Sequence, residues 1–265
     1  MKIAAYQFSV SENIERNFKS VCGAATEASG RGARLLLLPE CALCGYPPIE
    51  SKMEHIDFEL LKAKEKELCD LAAELDLSIA AGTIQRVDGK IYNAQMFTEG
   101  FKRKTCYYGK RALWGWDLEH FSPGRMEGFA ETDGWKIGLR ICFEVRFPEY
   151  FRELYRFGAE LCLIGFCDHS DQPNPERYEL ITSFLRTRAM ENLMPVFSCN
   201  SISRCQTAPT ALFDRNGHIV AEAPRDREYL LTTDLSKQED GFGETGRRYY
   251  TDLLTSSMSL SEKRV

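Results

Sequence analysis

Nowhere in this sequence do about 20 apolar residues follow one another, the length a helix needs to cross a bilayer. The opening "MKIAAYQFSV" turns polar at Gln7 and Ser9, too soon for a signal peptide. There is no basic stripe either. The 34 Lys and Arg residues are interspersed with 39 Asp and Glu, for a net charge of −5, which argues against a nucleic-acid partner. Histidine is scarce, and His55, His120, His169 and His218 share no repeated spacing, so each reads as structural or exposed. A second C-x-x-C is missing: Cys41 and Cys44 stand alone in "ECALCGY", and a structural zinc site would need another pair. A redox use of that pair stays open. These absences lead to the expectation of a soluble, cytoplasmic protein with no membrane, nucleic-acid or metal partner. With no secretory signal, the 10 cysteines are expected as reduced thiols, several of them (Cys22, Cys69, Cys106, Cys162, Cys199) buried in apolar or helical segments.

What is present is enough for a core. The chain has 265 residues, 43% of them hydrophobic, and no linker divides it, so one domain over 1–265 is expected. Strand-like apolar runs at 2–8, 33–40, 77–83, 90–97 and 101–108 alternate with helical patterns at 13–29 and 58–75. A polar loop follows at 109–125. The pattern then resumes, with strands at 135–142, 159–166, 194–200, 209–214, 217–223 and 228–234 and helices at 148–158 and 175–192. "GARLLLL" and "GAELCLI" each follow a helix and lead into a polar loop, a hint of two similar halves. Residues 236–265 read as a polar tail or an arm reaching a partner subunit. The alternation predicts α/β layers, in which working residues gather where strands end.

Three such places carry chemistry. Glu40 closes a leucine run, Lys110 opens the loop after "YYG", and Cys142 ends the run "GLRIC". Singly, each has a dull reading: a solvated acid, a surface lysine, a core thiol. Together they supply a base, a cation and a nucleophile. A free thiol has a pKa of about 8.5 and needs such help to attack a carbonyl at neutral pH.

The blocks "LLLLPE" with "GYPP" (35–48), "YYGKRALWG" (107–115) and "GLRICFEVRFPEYFRELYRFGAELCLI" (138–164) resemble, in order, the three signature blocks of the nitrilase superfamily, the carbon–nitrogen hydrolases. "LRTRAMENLMPVFSCNS" (185–201) and "DRNGHIVAEA" (214–223) extend the resemblance over most of the chain. It implies a four-layer αββα sandwich with two mixed β-sheets. It also implies an amidase-like triad of Glu40 as base, Lys110 as cation and Cys142 as nucleophile, with no metal or organic cofactor. Glu119 matches the family's second glutamate, which would hold Lys110 or orient the substrate, with Asp117 as the less favoured alternative. The N–H of Phe143 would be the second oxyanion donor. The resemblance further implies a small amide substrate and a homodimer or larger homo-oligomer.

The chain departs from the family at Glu144, where the amidase branches usually have Asp. Phe143 in place of Trp-Glu argues against nitriles. In "GFCDHSDQPNPE" the usual proline and tryptophan are absent. The pocket is therefore expected to draw on Tyr46, Trp114, Arg146, Cys167, Asp168 and His169. ω-Amides and N-carbamoyl compounds are alternative substrates, with Arg111, Arg146 or Arg204 as the cation an acidic substrate would need. An acyltransferase or a catalytically silent dimeric binding protein are the rival functions.

Overall fold

The computed structural model describes residues 1–100 and 102–261. The first half runs β1 (Lys2–Gln7), α1 (Ile14–Gly30), β2 (Leu35–Leu37), α2 (Phe58–Glu74), β3 (Ser78–Val87), β4 (Lys90–Thr98) and β5 (Thr105–Gly109). A one-turn helix, α3 (Trp116–His120), lies in the segment read as loop. The second half runs β6 (Phe129–Thr132), β7 (Trp135–Ile141), α4 (Pro148–Arg156), β8 (Leu161–Phe166), β9 (His169–Ser170), α5 (Pro175–Glu191), β10 (Val196–Asn200), β11 (Cys205–Gln206), β12 (Ala211–Phe213), β13 (Ile219–Glu222), β14 (Tyr229–Asp234) and α6 (Phe242–Ser261).

In a strand successive side chains point to opposite faces. In β1, Ile3 and Ala5 enter one apolar cluster while Ala4 and Tyr6 enter another. A strand apolar on both faces has to lie between two covering layers. On one side the cover is α1 and α2, whose Val21, Ala25, Ala28, Leu61, Leu68 and Ala72 share a cluster with Leu36, Ile79 and Ala81. Asn13 and Asp57 cap these helices by accepting backbone N–H bonds from Arg16 and from Glu59 and Leu60. On the other side the cover is a second sheet: β1 faces β10, β3 faces β8 and β4 faces β7. Helices α4 and α5 close that sheet from outside through Phe151, Leu154, Ile181, Leu185 and Ala189. The result is the expected αββα sandwich.

Both sheets have six strands, in the orders β14-β1-β2-β3-β4-β5 and β6-β7-β8-β10-β12-β13. In each, three central strands are parallel and the flanking pairs antiparallel. The hint of two halves therefore has a structural counterpart, with β2 and β8 in equivalent positions. Strand β6 was not legible, and neither was α6, in the stretch read as a polar tail. Helix α6 is tied down by Tyr155 Oη donating to Asp252 at 2.5 Å and Arg247 donating to the Met190 carbonyl at 3.0 Å. Residues 262–265 of that tail lie outside the described residues. Of the five cysteines expected in the interior, Cys162 and Cys199 are buried and Cys22, Cys69 and Cys106 half-buried; all ten thiols are free.

Candidate active site

Glu40 sits just beyond β2, where the chain turns sharply inward. Cys41, the next residue, has φ +51°, in the left-handed region that L side chains rarely adopt. The turn lies against Gly82 of β3, where a Cβ would fall 2.2 Å from the Cys41 nitrogen and the Pro39 oxygen. Gly165 of β8 makes room from the other sheet, since a Cβ there would be 3.0 Å from the Glu40 nitrogen. Glycine on each sheet thus lets a carboxylate turn into the gap between them. Glu40 is 2% exposed. Its Oε1 accepts from Asn93 Nδ2 at 2.7 Å and from Lys110 Nζ at 2.8 Å, and its Oε2 accepts from the Cys167 N–H at 2.9 Å.

Lys110, just after β5, is 3% exposed and donates a second bond to Asp117 Oδ2 at 2.8 Å. Asp117 is held in turn by the Tyr46 hydroxyl at 2.6 Å. The expectation that Glu119 holds Lys110 is corrected here. On α3, residues 117 and 119 point about 200° apart, so Asp117 faces inward, 1% exposed, and Glu119 faces solvent.

Cys142 directly follows β7 and opens a tight turn over Cys142–Arg146, with φ +42°. Glu144 secures this turn. It is fully buried, and its Oε2 accepts from the Ile141 N–H at 2.8 Å while Oε1 accepts from the Arg111 N–H at 2.8 Å and Tyr108 Oη at 2.7 Å. The longer side chain where the family usually has Asp therefore links the residue before the thiol to the residue after the lysine.

Burial, and after it the nearby Glu40 carboxylate, pushes the Cys142 thiol well above its ordinary range, with Lys110 pulling the other way. A thiolate would add a third negative charge beside Glu40 and Asp117, with one ammonium to balance them. Burial works against the Lys110 charge, but Glu40, Cys142 and Asp117 outweigh it and hold the ammonium well above its usual range. Residues 40, 110 and 142, far apart in sequence, thus share one electrostatic environment.

The remaining pocket residues divide. Tyr46 lies against Lys110, its ring centre 5.6 Å from Nζ. Trp114 is largely exposed and stacks on Phe143 at 6.2 Å, and Arg146 lies 5.4 Å from the same ring. Cys167, Asp168 and His169 follow β8, but Asp168 is engaged by Arg177 at 2.8 and 3.0 Å and by Thr207 Oγ1. Arg111 is paired with Glu153 and Arg204 with Asp171, whereas Arg146 has no ion pair among the described residues. Asn93, Arg177 and Glu50 were not singled out from sequence. The one available signal was Asn93, one of several polar residues within β4. A separate cleft of about 840 Å³, lined by Trp135, Tyr155, Arg215 and Arg248 near α6, contains none of the triad. No helix among the described residues is long and apolar enough to cross a membrane.

A buried carboxylate–ammonium pair and a strand-end thiol are thus set between two sheets with helical covers. The carbon–nitrogen hydrolase family model matches residues 2–240, and the chain belongs to that family, within the nitrilase superfamily, as a hydrolase of non-peptide carbon–nitrogen bonds. It is 32% identical to the protein of Pseudomonas protegens named the hydrolase in the pqqF 5′ region, over 95% of this chain and 88% of that one. It is 27% identical to a 2-oxoglutaramate amidase of Bacillus subtilis, over 80% and 82% of the two chains. The fold matches that of an amidase from Nesterenkonia sp. with a TM-score of 0.79 and 22% identity, covering 94% of this chain and 96% of that one.

Proposed function

We propose that the protein is an amidase that cleaves a small amide through a thioester on Cys142. The observation carrying this reading is the buried Lys110–Glu40 pair at 2.8 Å, electrostatically coupled to the Cys142 thiol. With the thiol protonated at rest, nucleophile formation waits for substrate. Glu40 takes the Cys142 proton as sulfur attacks the amide carbon, and Lys110 Nζ and the Phe143 N–H receive the developing oxyanion. As the C–N bond breaks, Glu40 returns the proton to the leaving nitrogen, and ammonia or an amine departs. Glu40 then takes a proton from water, whose oxygen attacks the thioester; the C–S bond breaks and the thiol recovers its proton. Acid–base help of this kind is worth roughly 10²–10⁴-fold and an oxyanion donor on the order of 10²–10³-fold. The test is ammonia release from short aliphatic amides, ω-amides, carbamoyl amino acids and nitriles. Release from at least one amide, and none from nitriles, is expected. A silent panel would sink the amidase reading and favour a binding protein.

Asp117 is assigned the role of holding Lys110. Asp117→Asn is expected to lower kcat by about 10²-fold, while Glu119→Gln stays within about twofold of wild type. The reverse order in steady-state kinetics would restore Glu119 to that role.

A second reading, an ω-amide of a dicarboxylic acid as substrate, is favoured by Arg146, a cation with no ion pair beside Phe143. The name of the Bacillus relative supports it. Arg146→Ala is expected to raise KM for acidic amides about tenfold or more, the loss of a charge-assisted contact, and to leave neutral amides unchanged. Equal loss on both would remove Arg146 from substrate recognition.

Self-association belongs to the same proposal, supported by exposed Tyr249, Tyr250 and Leu253 along α6. A sedimentation mass of a single chain, 30.3 kDa, would remove it.

A further inference from the structure

Beside the triad lies a cluster that the proposed chemistry does not use. One ligand atom each from Glu50, Cys167 and His169 lies within 4.8 Å of the others. These are a carboxylate oxygen, a sulfur and an imidazole nitrogen, a donor set suited to zinc and similar divalent transition metals. The groups around them are arranged as supports for such ligands. The Nε2 of His169 is 2.9 Å from the Ser201 carbonyl, which can only accept, so Nε2 carries the proton. That leaves Nδ1 unprotonated, its lone pair accepting from the Cys167 thiol at 3.6 Å. A metal-binding histidine commonly donates its other N–H to a carbonyl in this way. Glu50 is held in place by the Ser201 and Ser203 hydroxyls on Oε1 and by the Tyr46 N–H on Oε2 at 3.0 Å. Two ligands are two residues apart after β8; the third comes from the loop beyond β2.

We propose that Glu50, Cys167 and His169 form a binding site for a divalent transition-metal ion of the zinc type, and that its occupation arrests hydrolysis. On binding, the Cys167 S–H bond is replaced by a sulfur–metal bond, and the proton passes to solvent. The arrest, which rests on the amidase reading, follows from position. The backbone N–H of Cys167 holds Glu40 Oε2 at 2.9 Å. An ion held by the Cys167 and His169 side chains constrains the segment whose backbone N–H orients Glu40.

The test separates binding from activity. Full-length Cys142→Ala protein, stripped with a chelator and dialysed, is titrated with Co²⁺. One ion per chain is expected, with a sulfur-to-cobalt charge-transfer band that Zn²⁺ abolishes and release of about one proton per ion. Cys167→Ser in that background is expected to lose the band, and His169→Ala or Glu50→Gln to weaken binding at least tenfold, as removal of a ligand does. Absence of the band, or its persistence in Cys167→Ser, overturns the site. If Cys167→Ser fails to fold, alkylation of the Cys142→Ala protein decides in its place: bound Co²⁺ should protect Cys167 and no other thiol, and an unprotected Cys167 overturns the site. The arrest is read separately: Zn²⁺ lowers ammonia release by wild type, a chelator restores it, and Glu50→Gln raises the inhibiting concentration at least tenfold. An unchanged inhibiting concentration overturns the arrest without touching the metal site, and a protein that never releases ammonia but binds Co²⁺ leaves the site standing while the amidase reading fails.

Discussion

Cys142→Ala is expected to lower amide hydrolysis by on the order of 10⁴-fold or more, the scale on which nucleophile removal acts in other covalent hydrolases. The change deletes one sulfur atom at a position 9% exposed, so the fold should persist and substrate should still bind. The decisive measurement combines turnover with mass spectrometry of trapped intermediate. Wild type quenched during turnover should carry an acyl group on Cys142, and the alanine variant should carry none. Retention of more than about a hundredth of wild-type activity by the variant would mean that the thiol is not the attacking group.

The second large effect belongs to Lys110→Met. The substitution keeps the length of the side chain and removes its charge, leaving Glu40 and Asp117 buried with no ammonium between them. Breaking a buried ion pair by removing one partner costs about 3–5 kcal/mol. Asn93, Tyr46 and the Cys167 N–H remain as donors and would offset only part of this. A loss of stability of that size in denaturant titrations is expected at neutral pH, together with a fall in turnover of at least about 10²-fold from the missing oxyanion donor. A variant as stable as wild type would show that the two carboxylates find other compensation, and Lys110 would lose its structural role.

The three principal residues were legible because each closes or follows an apolar run, and chain breaks at strand ends are where an α/β fold places its chemistry. Local pattern also sufficed for the long helices, whose caps at Asn13, Asp57 and Asn174 are explicit side chains. What escaped was decided by geometry finer than the pattern. The choice between Asp117 and Glu119 depends on which way a single helical turn faces, and two residues of offset reverse it. Helix α6 opens on a stretch with Gly243 and Gly246, which masks it, although Tyr249, Tyr250, Leu253 and Leu254 carry a helical spacing that the reading of a polar tail passed over. Arg177 was missed because its partner, Asp168, lies nine residues earlier across a loop, and only the folded chain brings them together. Glu50 meets Cys167 and His169 from more than a hundred positions away.

The correspondence between the two sheets has a consequence for how this catalyst is built. β2 and β8 occupy matching places, and the segments leaving them touch: the Glu40 N–H bonds the Phe166 carbonyl at 3.3 Å, and the Cys167 N–H bonds Glu40. The candidate site therefore lies on the seam of an approximate internal dyad, with one half holding Glu40 and Lys110 and the other Cys142. Neither half contains all three groups by itself, so the proposed chemistry requires the halves to close face to face.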